Sequence, residues 1–149
     1  MTDDPGTFTY ELRIEAPAEV VFTYFTDAAK MARWMGIDHK LDPAPGGVFQ
    51  VDINGRDVAI GEYVAVEPPT HVEFTWGWRD STDVPPGSTT IVVDLVPDGD
   101  ATVVRFSHRG LPSAQLDPHA HGWNHFLGRL AIAGAGGDPG PDPMATPSP

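Results

Sequence analysis

The feature that most constrains this chain is a long stretch of alternating apolar and polar residues between positions 45 and 109, interrupted by turn sequences and by a loop at residues 79–87. Alternation with a period of two places one set of side chains on each face of a β-strand. Asn54-Gly55 and the segment 97–100 supply tight turns, and Pro68-Pro69 marks a third break. Because strands joined by such short turns pair with their neighbours, the stretch predicts an antiparallel sheet built from consecutive hairpins.

The sequence also predicts one strand before this stretch and helices that bury the apolar face of the sheet. Residues 7–15 alternate strictly, whereas residues 16–36 carry apolar side chains at helical spacing, with Asp27 as the predicted cap of a second short helix that runs to about Trp34. The predicted strands cover residues 7–15, 45–53, 56–67, 71–78, 88–96 and 101–109. A single apolar sheet face must be buried, so the C-terminal helix covers it and the fold class is α+β.

The C-terminal helix is predicted from its boundary residues. Proline is tolerated in a first helical turn, so Asp117 is the expected N-cap and Pro118 the first helical residue, with Gly134 as the end. Beyond it, residues 134–149 consist mainly of Gly, Pro and Asp and are predicted to be a disordered tail. With a flexible stretch at residues 1–6, the single folded domain is expected to span residues 7–133.

Charge and composition exclude several classes of function. The net charge of −12 disfavours binding to nucleic acid through its phosphates and docking on anionic membranes. The chain has no cysteine, and therefore no disulfide or thiolate chemistry. Without a predicted membrane span or a signal-like N-terminus, we expect a cytoplasmic protein, either a monomer or a homodimer, that needs no cofactor.

Several segments, in their order along the chain, carry a family resemblance. They are APAEVVFTYFTDAAKMARWMG, PGGVFQVDI, GEYVAVEPPTHVEFTWGW, STTIVVDLVPDGDATVVRFSH and HGWNHFLGRLA. As a set they resemble the START-like (SRPBCC) superfamily, of the type of the bacterial homologues of the activator of heat-shock-protein ATPase. The resemblance covers roughly residues 8–133.

This resemblance implies a helix-grip fold, in which a curved antiparallel sheet of six or seven strands surrounds a long C-terminal helix. It also implies a hydrophobic cavity between the sheet and the helix. Related families include carriers of lipids and hormones, polyketide aromatases and cyclases, and the chaperone cofactor itself, which has a role in the stress response. A fold does not by itself determine function, so each of these remains a hypothesis.

The inward-facing positions of this fold are rich in aromatic residues, which is typical of a ligand-binding cavity as well as of a core. Tyr63 belongs to this set, although a bulge near Gly61 would reverse its face. The candidate cavity residues are Trp34, Phe49, Tyr63, Phe74, Trp76, Trp78, Phe106, His108, His119, Trp123 and Leu127.

Three histidines lie close together on the C-terminal helix. Helical spacing places His119 on the inner stripe with Trp123, and His121 and His125 on the opposite side, so the three do not converge on a metal ion. His108 ends a strand with inward parity and is expected to face His119 at one end of the cavity. These two histidines are therefore the candidates for acid/base chemistry.

The leading hypothesis is non-catalytic binding of a hydrophobic or amphipathic small molecule in the cavity. One alternative is a protein-interaction module related to chaperone ATPase activators, for which acidity favours a basic partner. The other is an enzyme similar to the polyketide aromatases and cyclases, with His108 or His119 as acid or base.

Overall fold

The computed structural model describes residues 6–145. Seven strands, three α-helices and one short 3-10 helix follow one another along the described chain. They are β1 (Phe8–Ile14), α1 (Ala18–Thr23), α2 (Ala28–Met31), β2 (Asp38–Leu41), β3 (Val48–Asp52), β4 (Val58–Glu67), β5 (His71–Trp76), β6 (Thr89–Asp98), β7 (Ala101–Arg109), α3 (Ser113–Gly134) and the 3-10 helix Pro143–Ala145.

The seven strands form one antiparallel sheet in the order β1-β7-β6-β5-β4-β3-β2. Consecutive strands from β2 to β7 pair as hairpins, and β1 joins the free edge of β7. The hairpin expected at Asn54-Gly55 joins β3 to β4, and the one expected at residues 97–100 joins β6 to β7. The predicted α+β class and the helix-grip architecture are therefore confirmed, with two short helices after β1.

The core lies between α3 and the inner face of the sheet. Along β5, the buried Val72, Phe74 and Trp76 alternate with half-buried residues, as the period-two pattern predicts. From the helix, Trp123, Leu127 and Leu130 join the same buried cluster. No helix within residues 6–145 is both long enough and apolar enough to cross a lipid bilayer.

Two features of the sheet differ from the residue pattern. Strand β2 was not among the predicted strands, because its four residues are largely polar and lie at the sheet edge. In β4, the register shifts between Tyr63 and Ala65, two residues beyond Gly61, and Tyr63 is fully buried. Gly61 itself permits a close approach of β5, since a Cβ there would lie only 1.9 Å from the carbonyl oxygen of Thr75.

The predicted start of the last helix is wrong. Helix α3 begins at Ser113, after Pro112, and Pro118 lies inside it, in the second turn. A proline there lacks the N–H that would bond the carbonyl four residues earlier, and the helix continues past this one missing hydrogen bond. The predicted end at Gly134 is confirmed, as is the cap of α2, where Asp27 accepts hydrogen bonds from the backbone N–H groups of Ala29 and Lys30.

The chain continues beyond α3 in a defined path. Residues 138–144, which fall in the predicted tail, lie along α3 and make specific contacts with it. Residues 1–5 of the predicted flexible N-terminus and residues 146–149 of the predicted tail lie outside the described residues.

Candidate functional site

A cavity of about 570 Å³ opens at one end of the space between α3 and the sheet. The rest of that space is filled by buried side chains. Four segments surround the cavity: the β3–β4 loop, the end of β5 with the residues after it, the first half of α3, and the 3-10 helix. Its lining consists of Ile53, Asn54, Arg56, Asp57, Trp76, Trp78, Gln115, Pro118, His119, Gly122, Trp123, Phe126, Pro143 and Met144.

One wall of the cavity is a hydrogen-bonded pair of Trp78 and His119. The Trp78 indole N–H donates to Nε2 of His119 at 2.9 Å, so this nitrogen is the unprotonated one. The other ring nitrogen, Nδ1, lies 2.8 Å from the carbonyl oxygen of Gln115 one turn earlier in α3, and it carries the proton that this carbonyl accepts. Both nitrogens of His119 are therefore occupied.

A second pair, Trp123 and His108, lies deeper. The Trp123 indole N–H donates to Nδ1 of His108 at 3.0 Å. Nε2 of His108 therefore carries the proton, which it donates to the Thr89 hydroxyl at 2.8 Å, and this hydroxyl donates in turn to the Trp76 carbonyl at 2.6 Å. The chain of bonds joins α3 to β7, β6 and β5, and it leaves no nitrogen of His108 free.

The structure brings His108 and His119 together, with ring centroids 5.3 Å apart in an edge-to-face arrangement. Burial lowers the pKa of His108 to about 3, with a smaller contribution from the neighbouring His119, and burial also lowers the pKa of His119. Both rings are therefore neutral near pH 7. Protonating either one would place an N–H against an indole N–H, so these histidines act as acceptors that hold two tryptophans in place.

The four tryptophans differ in how their N–H groups are satisfied. Trp34 donates to the Tyr24 carbonyl at 2.9 Å, and Trp78 and Trp123 donate to the two histidines. The N–H of Trp76 has no partner among the described residues. Its ring packs edge-to-face on Trp78, with centroids 5.2 Å apart, and so forms the floor of the cavity from carbon surface.

Of the predicted cavity residues, Trp76, Trp78, His119 and Trp123 line the cavity. The others are buried in the core away from its lining: Trp34, Phe49, Tyr63, Phe74, Phe106, His108 and Leu127.

Two contacts show why the centre of the fold is full. Phe49 and Phe74 stack with centroids 4.2 Å apart, and the Tyr63 hydroxyl donates to the Phe25 carbonyl at 2.8 Å. Burial also raises the pKa of Tyr63, so its phenol stays protonated.

Sequence reasoning missed the polar rim of the cavity and its C-terminal cover. The rim includes Asn54, Arg56 and Asp57, whose hairpin loop was recognised from Asn54-Gly55 but was not placed against the helix. The cover consists of Pro143 and Met144. The apolar Met144 within a Gly/Pro-rich segment was the signal that could have indicated it.

The two remaining helix histidines lie apart from the cavity lining. His121 is exposed, and His125 is half-buried with Nε2 2.7 Å from Oδ1 of Asp142. Among the described residues, no three His, Asp or Glu side chains come together in a way that would hold a metal ion.

Comparison with known proteins agrees with this architecture. A family model described as "Activator of Hsp90 ATPase homolog 1-like protein" matches residues 15–134. An AHSA1-like protein from Rhizobium etli has 38% sequence identity and a TM-score of 0.71, over 99% of this chain and 95% of that one. A search of curated proteins gives no match.

Two other similar structures come from different functional settings. DynU16, a protein in the dynemicin biosynthetic locus, has 25% identity and a TM-score of 0.77, covering 95% of this chain and 51% of its own. An HSP90 activator from Plasmodium falciparum has 23% identity and a TM-score of 0.72, covering 86% of this chain and 95% of its own, which shows the shared fold alone.

Proposed function

The chain belongs to the family of activator of Hsp90 ATPase homolog 1-like proteins, and we propose that it binds an apolar or amphipathic small molecule in its cavity without catalysing a reaction. The observation that carries this proposal is the cavity of about 570 Å³ walled by three tryptophans. Ligand pockets of about 300–1,000 Å³ with mainly apolar walls and a few polar groups are typical of small-molecule sites.

The shape of the ligand follows from the arrangement of the walls. Trp76, Trp123 and Phe126 offer carbon surface inside, while the exposed Arg56 offers hydrogen-bonding groups at the rim. A molecule with an apolar body and one polar end would satisfy both parts.

The non-catalytic reading rests on the hydrogen bonds of the two histidines. A general acid or base needs a nitrogen that reaches the substrate. All four ring nitrogens of His108 and His119 are already bonded to protein atoms. Their role in the proposal is therefore to hold Trp78 and Trp123 in the orientation that leaves the cavity open.

Two glycines of α3 provide a matched test. Gly122 lines the cavity, and a Cβ built on it meets nothing within 4 Å, so a leucine there would take up cavity space. Gly128 also has open space around its Cβ but lies outside the cavity lining. Both replacements improve helix propensity, so Gly122→Leu and Gly128→Leu are expected to fold.

The probe is 8-anilinonaphthalene-1-sulfonate (ANS), titrated while its own fluorescence and tryptophan quenching are followed. We expect Gly128→Leu to bind it as the unmodified protein does, and Gly122→Leu to bind it about tenfold more weakly. Equal binding by the two variants, or no saturable binding by the unmodified protein, would contradict the proposal.

A second candidate function is docking on a chaperone of the Hsp90 type. It is supported by the description of the family model and by the net charge of −12, which favours a basic partner surface. Its test is the ATPase rate of a bacterial Hsp90 homologue with increasing amounts of the protein. A rate that does not change at saturating protein would count against this candidate and leave the ligand-binding proposal intact.

A further inference from the structure

The chain reverses direction directly after α3. Gly136 has a φ of 93°, a left-handed conformation that glycine adopts without strain. The backbone N–H groups of Gly136 and Gly137 donate to the carbonyls of Ala133 and Ile132, at 3.0 and 2.9 Å. Residues 137–145, which we call the strap, then run back along α3 towards the cavity.

Side chains from α3 and from the turn that follows α2 hold the strap. Arg129 donates to the carbonyls of Pro139 and Gly140, at 3.3 and 3.0 Å, and Arg33 donates to that of Gly137 at 3.2 Å. These contacts fix the first half of the strap against the C-terminal end of α3.

A fourth contact fixes the second half. Nε2 of His125 lies 2.7 Å from Oδ1 of Asp142, and the same oxygen accepts the backbone N–H of Met144 at 2.9 Å. Asp142 therefore joins the strap to the helix and also shapes the turn that carries Met144. This turn places Pro143 and Met144 on the cavity wall.

The contacts of the strap allow it to detach from α3 while the rest of the protein stays folded. Of its described residues, Met144 is the one that packs against the hydrophobic core, and the other contacts are hydrogen bonds, among which the Asp142 side chain is 7% exposed. Its high content of Gly and Pro, which predicted disorder, leaves little apolar surface to bury. Segments with few apolar contacts open locally at low cost while the remaining fold stays intact.

We propose that the strap is the gate of the cavity, with Met144 as its plug and the His125–Asp142 contact as its latch. A ligand enters when the latch opens and Met144 leaves the cavity wall. The strap closes this side of the cavity whether or not the protein binds a ligand. That ligands enter where the strap opens rests on the function proposed above.

The latch is tested with Asp142→Ala, and Asp100→Ala is the control. Asp100 is exposed in the turn between β6 and β7, so its replacement removes the same charge from a segment other than the strap. Acrylamide quenching of tryptophan fluorescence measures opening without any ligand. We expect Asp142→Ala to raise the quenching constant about twofold and Asp100→Ala to leave it unchanged.

A second variant, Met144→Ala, removes the plug and keeps the latch. For both strap variants we expect ANS to associate about threefold faster in stopped-flow mixing than for Asp100→Ala. Thermal melting followed by circular dichroism establishes that the variants are folded.

The outcomes separate the two proposals. Quenching constants and association rates equal to those of Asp100→Ala in both strap variants would overturn the gate, even if Gly122→Leu still blocks ANS. Increased quenching together with no ANS binding by any variant would support the strap as a closing element and overturn the ligand-binding function.

Discussion

The two ends of the space between α3 and the sheet are built from different side chains. At one end, Ile14, Val104, Leu130 and Ala133 are at most 1% exposed and fill the space completely. At the other end the same helix and sheet carry tryptophans and histidines, and a cavity of about 570 Å³ remains.

The difference shows how a core can contain a cavity while the side chains around it keep fixed positions. Small aliphatic side chains rearrange to fill gaps, whereas a tryptophan is rigid and its buried N–H is stabilised by an acceptor that fixes its orientation. His108 and His119 supply acceptors, and the hydrogen bonds hold the rings of Trp123 and Trp78 in place. The packed end thus provides stability, and the aromatic end provides shape.

The largest effect on stability is expected at the packed end. Leu130→Ala removes a fully buried side chain and leaves a void between α3 and the sheet. We expect the free energy of unfolding to fall by about 3 kcal/mol, measured by urea denaturation. A loss below about 1 kcal/mol would show that this end can collapse around the void and is not tightly packed.

At the aromatic end, His108→Leu tests the deeper hydrogen-bonded pair. The variant leaves the Trp123 N–H without its acceptor and the Thr89 hydroxyl with its bond to the Trp76 carbonyl alone, so we expect a loss of about 2 kcal/mol in the free energy of unfolding. A double-mutant cycle with Trp123→Phe should give a coupling energy of about 1 kcal/mol. Additive effects of the two substitutions would mean that the bond does not orient the indole.

The same pair predicts a dependence on pH. The pKa of His108 is lowered to about 3 in the folded protein, below the ordinary value of about 6.5 that applies when the chain is unfolded. Its contribution to stability is therefore complete above pH 6.5 and is lost as the pH falls towards 3. We expect it to lower the free energy of unfolding by about 1 kcal/mol per pH unit between pH 6 and 5.

Comparison with His108→Leu isolates this contribution, because the variant should show a shallower slope over that range. His71 acts in the opposite direction. Its hydrogen bond to Asp94 raises its pKa, so its contribution is complete below pH 6.5 and does not affect the slope there. Equal slopes for the variant and the unmodified protein would refute the assignment of a buried neutral His108.

A smaller effect is expected for the outer pair. In His119→Leu the Trp78 indole loses its acceptor, but this ring is half-buried and water can reach it. We expect a loss of about 1 kcal/mol in the free energy of unfolding and a red shift of tryptophan emission. An unchanged emission spectrum would indicate that Trp78 keeps its position without His119.

The smallest effect is expected two residues further along the same helix. His121 is exposed, so His121→Ala should change the free energy of unfolding by less than about 0.5 kcal/mol in urea denaturation. It also serves as the control for His119→Leu. A larger change would mean that the helix face assigned to solvent is in contact with another part of the protein.

Periodicity predicted the orientation of side chains well. The alternation along β5 placed Val72, Phe74 and Trp76 on one face, and all three are buried. Helical spacing separated the buried His119 from the exposed His121. These properties depend on the local geometry of one strand or one helix, which is why they can be inferred from residues close together in the chain.

Which of the inward-facing residues border the cavity could not be inferred in this way. Phe49 and Phe74 fill the centre of the fold because two strands bring their rings into a stack. The cavity wall formed by Met144 depends on a contact between Asp142 and His125, two residues on different segments. Such distances are set by the packing of the whole chain. The start of α3 was also misplaced, because Pro118 is accommodated in the second turn of the helix and does not mark its first turn.

The pairing of β1 with β7 has a consequence for the order of folding. In that register Phe8 lies opposite His108, so the first strand meets its partner only after nearly all of the sheet has been synthesised. Strands β2 to β7 can pair one after another as they leave the ribosome, each closing a short loop. The final step joins residues far apart along the chain, and contacts of such high sequence separation slow folding. Until β7 emerges, the edge that pairs with β1 does not exist, and the apolar face of β1 remains exposed to solvent.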